Sequence, residues 1–223
     1  MIRTILWDVD GTLLDFAAAE RAAMEGLYRD FGLGDCSGEA LGRYSAINRR
    51  YWESLERGEI TKPELLVRRF QDFFRGEGLA VDAEAFNAAY QSRLGTTAVP
   101  RDDSVELVRS LRGRVRQYAV SNGTVIAQTR KLRRSGLDAL MDGVFLSEKL
   151  GAEKPDAAFF DAVFAAIGPV ERREVMIVGD SLTSDIRSGR NAGIVTCWYS
   201  PEGGASDLPD HTIRDLREVC GFL

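Results

Sequence analysis

Five short apolar runs separated by helical segments constrain this chain more than any other feature. The first covers residues 2–9, with Ile2, Ile5, Leu6, Trp7 and Val9; the others are Val115–Val120, Gly143–Ser147, Val175–Val178 and Ile194–Trp198. Runs this short and this continuous fit strands buried on both faces, as in the centre of a parallel sheet. The clearest intervening helix is Asp156–Ile167, where Phe160, Val163, Phe164 and Ile167 recur at i, i+3, i+4 and i+7. Pro155 stands at its start and Gly168 just past its end, the usual asymmetry of helix termini. Ser181–Ala192 reads as a further helix, stopped by Gly193. Strands alternating with helices of this length predict an α/β fold with a doubly wound, Rossmann-like parallel sheet.

Between residues 15 and 95 the pattern changes. No strand candidate occurs there, and three or four helices do, with Leu65, Leu66, Phe70, Phe73 and Phe74 forming one apolar stripe and turns near Gly32–Gly38 and Gly76–Asp82. The expected organisation is an α/β core made of residues 1–14 and 96–223, with a small all-helical cap, 15–95, inserted after strand 1. A chain of 223 residues buries a substantial core without disulfides or structural metal.

Composition removes several function classes. With 29 basic and 34 acidic side chains the net charge is −5, which argues against a nucleic-acid polymer as partner, since phosphate backbones need a positive footprint. There is one histidine, His211, so Ser–His–Asp hydrolysis and multi-histidine zinc sites are disfavoured and acid–base work falls to carboxylates, lysine or tyrosine. His211 itself reads as a surface or packing residue. Cys36, Cys197 and Cys220 are widely spaced with no CxxC, the pattern of reduced thiols in a cytoplasmic protein. The amino terminus reaches a charge too early for a signal peptide, and the longest charge-free stretch, Gln117–Thr129, falls short of the roughly 18 apolar residues of a membrane span. No membrane partner is expected.

In an open α/β sheet ligands bind at the carboxyl ends of the strands, and polar residues gather there. Strand 1 ends in Asp8-Val9-Asp10-Gly11-Thr12, strand 2 in Ser121-Asn122-Gly123, and strand 4 in Gly179-Asp180-Ser181, with Asp185 one helical turn on; Glu153-Lys154-Pro155 follows strand 3. Alone, each motif has a bland reading: a surface Asp-x-Asp, a turn, a helix lead-in, an N-cap. That all four follow apolar strands, in order, favours chemistry. Carboxylates this close raise one another's pKa, and a hard divalent cation such as Mg²⁺ relieves the repulsion while taking phosphate oxygens in its remaining positions. Lys154 supplies positive charge for a phosphoryl group, and Ser121 with the amides around Asn122 and Gly123 can bond its oxygens. The expected partner is a small-molecule phosphomonoester.

Those four motifs resemble the signature of the haloacid dehalogenase-like hydrolases, and the helical insert is similar in position to the family's cap. Asn48-Arg49-Arg50-Tyr51-Trp52, Ser121-Asn122-Gly123-Thr124, Thr183-Ser184-Asp185-Ile186 and Thr212-Ile213-Arg214-Asp215-Leu216 resemble the pyrimidine 5′-nucleotidase branch. The resemblance implies a two-step transfer. Asp8 attacks phosphorus, and Asp10 protonates the leaving oxygen and then activates water. Mg²⁺ is held by the Asp8 carboxylate, the Asp10 carbonyl and Asp180, with Asp185 in support. Lys154 neutralises charge and Ser121 binds a phosphate oxygen.

Asp10 also separates branches, because haloacid dehalogenases carry a different residue there. Alternatives within the family are a phosphatase or phosphomutase for a small metabolite such as phosphoglycolate or a sugar phosphate. A phosphoryl-holding receiver domain gathers similar residues, but Asp10 and the long insert argue against it. In the insert Tyr44, Asn48, Tyr51, Trp52 and Arg69 are candidates to meet a substrate, the rings by stacking and Asn48 by pairing with a base edge. Trp198 and Tyr199 read as core or rim, and the basic run Arg130, Lys131, Arg133 and Arg134 reads as a solvated helix face.

Overall fold

In the computed structural model, which describes all 223 residues, six strands form one parallel sheet. They are β1 (Thr4–Trp7), β2 (Arg116–Ser121), β3 (Gly143–Leu146), β4 (Val175–Gly179), β5 (Val195–Tyr199) and β6 (His211–Ile213), in the order β3-β2-β1-β4-β5-β6. The helices are α1 (Phe16–Asp30), α2 (Gly38–Glu56), α3 (Lys62–Glu77), α4 (Ala83–Leu94), α5 (Ser104–Leu111), α6 (Val125–Ser135), α7 (Ser147–Leu150), α8 (Ala157–Ile167) and α9 (Arg187–Asn191). The chain packs as two compact units, Met1–Phe16 with Ala98–Leu223, and Ala17–Thr97.

In the first unit β1 lies in the middle. Thr4–Trp7 pairs with Arg116–Ala119 on one side and with Val175–Val178 on the other. Successive residues of a strand face opposite sides, so Ile5 and Trp7 enter one apolar layer with Val108, Leu132, Met176, Val178 and Tyr199, while Leu6 enters the other with Val120, Phe159, Phe160, Val163 and Ile177. The one polar atom of the buried Trp7 ring is satisfied: its indole N–H donates to Gln117 Oε1 at 3.2 Å. Strand order reverses at β1, with β2 and β3 on one side and β4 to β6 on the other, and such a switch point opens a crevice at the carboxyl ends.

The sequence expectations need two corrections here. The sixth strand, His211–Ile213, was not anticipated; it has three residues at the sheet edge and too few apolar positions for a run. Its His211 ring stacks on Phe222 at 4.2 Å between centroids, the packing role expected of it. Ser181–Ala192 is not one α-helix. It begins as a wide π-turn over Leu182–Ile186, capped by Ser181 Oγ accepting from Ser184 N, and tightens into α9 only at Arg187.

The second unit is all-helical and has its own aromatic core. Tyr44 stacks on Phe70 at 5.0 Å, Phe74 stacks on the same Phe70 ring at 6.0 Å, and Phe73, Phe86 and Tyr90 meet the pair edge-on or tilted. Of the expected stripe, Leu65, Phe70, Phe73 and Phe74 are buried and Leu66 is half-buried.

Gly189 sets how closely α9 approaches the sheet. A Cβ there would lie 2.5 Å from Ile177 Cγ2 and 2.7 Å from Thr196 Cγ2. Alanine improves helix propensity by about 1 kcal/mol, but overpacking a filled interior costs about 1–3 kcal/mol. Gly189→Ala is therefore expected to lower the urea midpoint of unfolding with an unchanged slope; an unchanged or raised midpoint would show that the contact yields.

Candidate active site

The carboxyl ends of β1, β2 and β4 carry the polar residues singled out in the sequence. The Asp8 amide donates to Val178 O at 2.9 Å, extending the β1–β4 pairing by one residue. Its carboxylate accepts from Lys154 Nζ at 2.8 Å. That ammonium is 1% exposed and spends its other two protons on Asp185 Oδ1 at 2.6 Å and on the carbonyl of Val120 at 3.2 Å. The backbone of Lys154 is fixed as firmly: Asn122 Nδ2 donates to its carbonyl and Asn122 Oδ1 accepts from its amide, both at 2.8 Å. The Asn122 side chain is thus spent on holding Lys154, while the part expected to meet a phosphate oxygen is the backbone amide of this segment. Ser121 Oγ accepts from Gly123 N at 3.0 Å, which leaves the hydroxyl proton available.

Asp185 is buried because the wide turn folds it inward, and its Oδ2 accepts from Ser181 N at 3.1 Å. Asp180 accepts from Thr12 Oγ1 at 3.2 Å on Oδ1, and its carbonyl takes the indole N–H of Trp198 at 2.8 Å. Gly11 sits at φ +92°, and a Cβ there would lie 2.4 Å from Asp180 Oδ2. No other residue type permits both that backbone and that approach.

Carboxylate oxygens of Asp8, Asp180 and Asp185 lie within 4.8 Å of one another. With Lys154 among them the ionised set carries three negative charges and one positive, a net of −2. Burial pushes the Asp8 carboxyl well above its ordinary range and Asp185 adds to this, against the pull of Lys154. Asp180 is the member that reaches solvent, yet packed protein strips water from its carboxyl and, with Asp185, raises it to about 7. Burial alone would lower the Lys154 ammonium; Asp185 and Asp8 outweigh that and raise it. Three hard oxygen donors, a surplus of two negative charges and one open side fit a hard divalent cation.

Asp10 stands outside that cluster. Its Oδ2 accepts from Gln128 Nε2 at 2.5 Å and its Oδ1 from Lys131 Nζ at 2.6 Å, both on α6. This corrects the reading of the basic run. Lys131 is fully buried, not part of a solvated face. The signal was positional: Ala127, Gln128, Lys131 and Leu132 recur at the spacing of a buried helical stripe. Gln128 and Lys131 were missed as parts of the site; Thr12 stood in the first-loop motif without a stated role, and Trp198, read as core or rim, reaches the site through the Asp180 carbonyl.

In the helical unit three candidates are corrected. Tyr44 is fully buried in the aromatic core, so its faces are not open to a base. Asn48 donates to Glu20 Oε1 at 3.0 Å and accepts from Arg69 Nη1 at 2.7 Å, so its amide edge is occupied. Arg69, 2% exposed, also donates to Asn87 Oδ1 and is internal. Tyr51 and Trp52 are half-buried, and the Tyr51 hydroxyl donates to Asp72 at 2.7 Å.

Comparison with known proteins places the chain in a family. A family model described as haloacid dehalogenase-like hydrolase matches residues 2–193. The chain belongs to the haloacid dehalogenase-like hydrolases. It is similar to the solved structure of the HAD-hydrolase YfnB from Bacillus subtilis, bound to magnesium, with 33% identity, a TM-score of 0.94, and coverage of 100% of this chain and 98% of that one. Pyrimidine 5′-nucleotidase PynA of Streptococcus pneumoniae is 36% identical over 98% of this chain and 94% of its own length. Pyrimidine 5′-nucleotidase YjjG of Escherichia coli is 30% identical over 98% and 96%.

The raised Asp180 carboxyl links stability of this haloacid dehalogenase-like fold to pH. Between its unfolded value near 3.8 and about 7, the folded state holds a proton that the unfolded state does not. Metal-free stability from this group is therefore lost as pH rises through that window. A cation that needs the ionised carboxylate gains over the same window. Mg²⁺ at ~100 times its dissociation constant is expected to raise the Tm by about 5–10 °C at pH 8 and by less at pH 5.5. Calorimetry showing an equal rise at both would contradict this account.

Proposed function

We propose that the protein is a Mg²⁺-dependent phosphoric monoester hydrolase that works through a phosphorylated Asp8 and acts on pyrimidine nucleoside monophosphates. The observation that carries the phosphatase chemistry is the Asp8 carboxylate. It is buried at the end of the central strand, paired to Lys154, and lies within reach of a carboxylate cluster that needs a cation.

The carboxylates of Asp8 and Asp180 and the backbone carbonyl of Asp10 would hold the ion, with Asp185 steadying the set through Lys154 and Ser181. When bound, Mg²⁺ supplies positive charge to the phosphate oxygens. The chain's own residues do the rest. An Asp8 oxygen forms a bond to phosphorus as the ester P–O bond breaks, and Asp10 gives its proton to the leaving oxygen. Asp10, now a carboxylate, takes a proton from water as that water attacks the aspartyl phosphate, which releases inorganic phosphate and restores Asp8. Lys154 offsets charge on Asp8 and the transferring group, and the Ser121 hydroxyl donates to a phosphate oxygen.

Nucleotide preference rests on a different footing. The relatives PynA and YjjG carry pyrimidine 5′-nucleotidase names at 36% and 30% identity, and the phrases around Asn48–Trp52, Thr183–Ile186 and Thr212–Leu216 resemble that branch. Because Tyr44 and Asn48 are internal, base recognition is assigned to other groups of the helical insert, of which Tyr51 and Trp52 are half-buried rather than enclosed. The helical insert, residues 15–95, is proposed to act as the cap that selects substrates.

Asp8→Asn is expected to lower turnover roughly 10³-fold or more, as loss of a covalent nucleophile does, with phosphate trapped at residue 8 in the native protein; label mapped elsewhere refutes the assignment. For substrate class, kcat/KM for uridine or thymidine monophosphate should exceed that for phosphoglycolate and glucose phosphates. A tenfold win for the small phosphates would remove the nucleotidase reading and leave the phosphatase.

A further inference from the structure

The carboxylates of Asp8 and Asp10 are two residues apart but have separate cationic partners. Lys154 serves Asp8 and also ties in Asp185. Lys131 serves Asp10 alone, among the ion pairs of the site. We propose that Lys131, with Gln128, is a positioning residue that fixes the orientation of the Asp10 side chain, whose carboxylate takes the proton of the attacking water and, once protonated, gives it to the leaving oxygen. The proposal rests on the acid–base role assigned to Asp10 above.

The geometry supports this in three ways. First, the Asp10 side chain keeps 22% of its surface, on a turn beyond the end of β1, so packing alone leaves it several rotamers. Two donors from one helix, one to each oxygen, remove that freedom. Second, Lys131 is itself immobile. Its side chain is 1% exposed, and its ammonium lies 5.2 Å from the centre of the Phe16 ring, an arrangement that stabilises a cation where water is scarce. Third, α6 does not need that ammonium to stay in place. Thr124 caps its first turn, and Ala127 and Leu132 bury beside it. An apolar side chain of equal length would satisfy the packing, yet the chain places a charge there, aimed at one carboxylate. Gln128 is held in turn by its tight fit against Gly123, two residues past Ser121 at the end of β2. The loop after β2 thereby reaches both phosphate-binding and proton-transferring groups.

Four proteins decide the matter: wild type, Lys131→Met, Asp10→Asn and the double variant, each assayed with Mg²⁺ on an aryl phosphate and on an alkyl phosphomonoester. A good leaving group needs less protonation. Lys131→Met should therefore lower kcat on the alkyl ester about 10–100-fold, the usual effect of losing an orienting partner, and on the aryl ester by less. KM and the half-saturating Mg²⁺ concentration should stay within about twofold, since neither substrate binding nor the acidic cluster uses this lysine. In the Asp10→Asn background the same substitution should add less than about twofold, because partners acting through one group are non-additive. Gln128→Met, which removes the other donor, should shift the alkyl-to-aryl ratio in the same direction and serves as the readout if Lys131→Met does not fold. Multiplying losses in the double variant, or equal losses on both esters, overturn the positioning role alone. An Asp10→Asn protein with full turnover overturns the acid–base assignment and this inference with it.

Discussion

One nitrogen atom organises the catalytic end of the sheet. Lys154 Nζ bonds to Asp8 after β1, to Asp185 in the wide turn after β4, and to the last interior carbonyl of β2. Burying an ammonium costs several kcal/mol unless every proton is placed, and here each of the three has an acceptor. That requirement dictates the surroundings. The loop before α8 is clamped at both backbone atoms of Lys154 by Asn122, and the turn after β4 must open wide enough to bring Asp185 inward. Removing one partner of such a set costs about 3–5 kcal/mol, because the others remain buried and unpaired. The loops at three strand ends are accordingly one electrostatic unit rather than three independent segments.

In the proposed mechanism, the two aspartates of the first loop do different work because their environments differ. Asp8 is enclosed, crowded by Asp185 and Asp180 and tied to a shared lysine. Asp10 is partly open and bonded by an amide and an ammonium of α6. The first environment suits a carboxylate held still beside a cation. The second suits one that exchanges protons with a leaving group and with water.

Much of this was legible in the sequence, for physical reasons. Strands buried on both faces must be apolar throughout, so β1 to β5 stood out as runs, and a site at the carboxyl ends follows from a parallel sheet. The edge strand His211–Ile213 lacks two buried faces and left no run. The wide turn was hidden because one inserted residue does not disturb an amphipathic pattern enough to separate it from α9. Lys131 was misread because charge near arginines resembles a wet surface, whereas its burial depends on Asp10, 121 residues away in the chain. Asn48 and Tyr44 failed as substrate contacts for the opposite reason: a polar or aromatic side chain with a good internal partner looks, in sequence, the same as one awaiting a ligand.

Gly11 carries a consequence for reading other chains of this kind. Its backbone lies in the left-handed region and its missing Cβ leaves room for the Asp180 carboxylate. A chain could keep both aspartates of the first loop, the lysine and the acidic turn, and still be disabled by any side chain at this one position. The loop could not close without evicting Asp180 from its place. The space left by one missing methyl group is thus as much a part of the site as any charge in it.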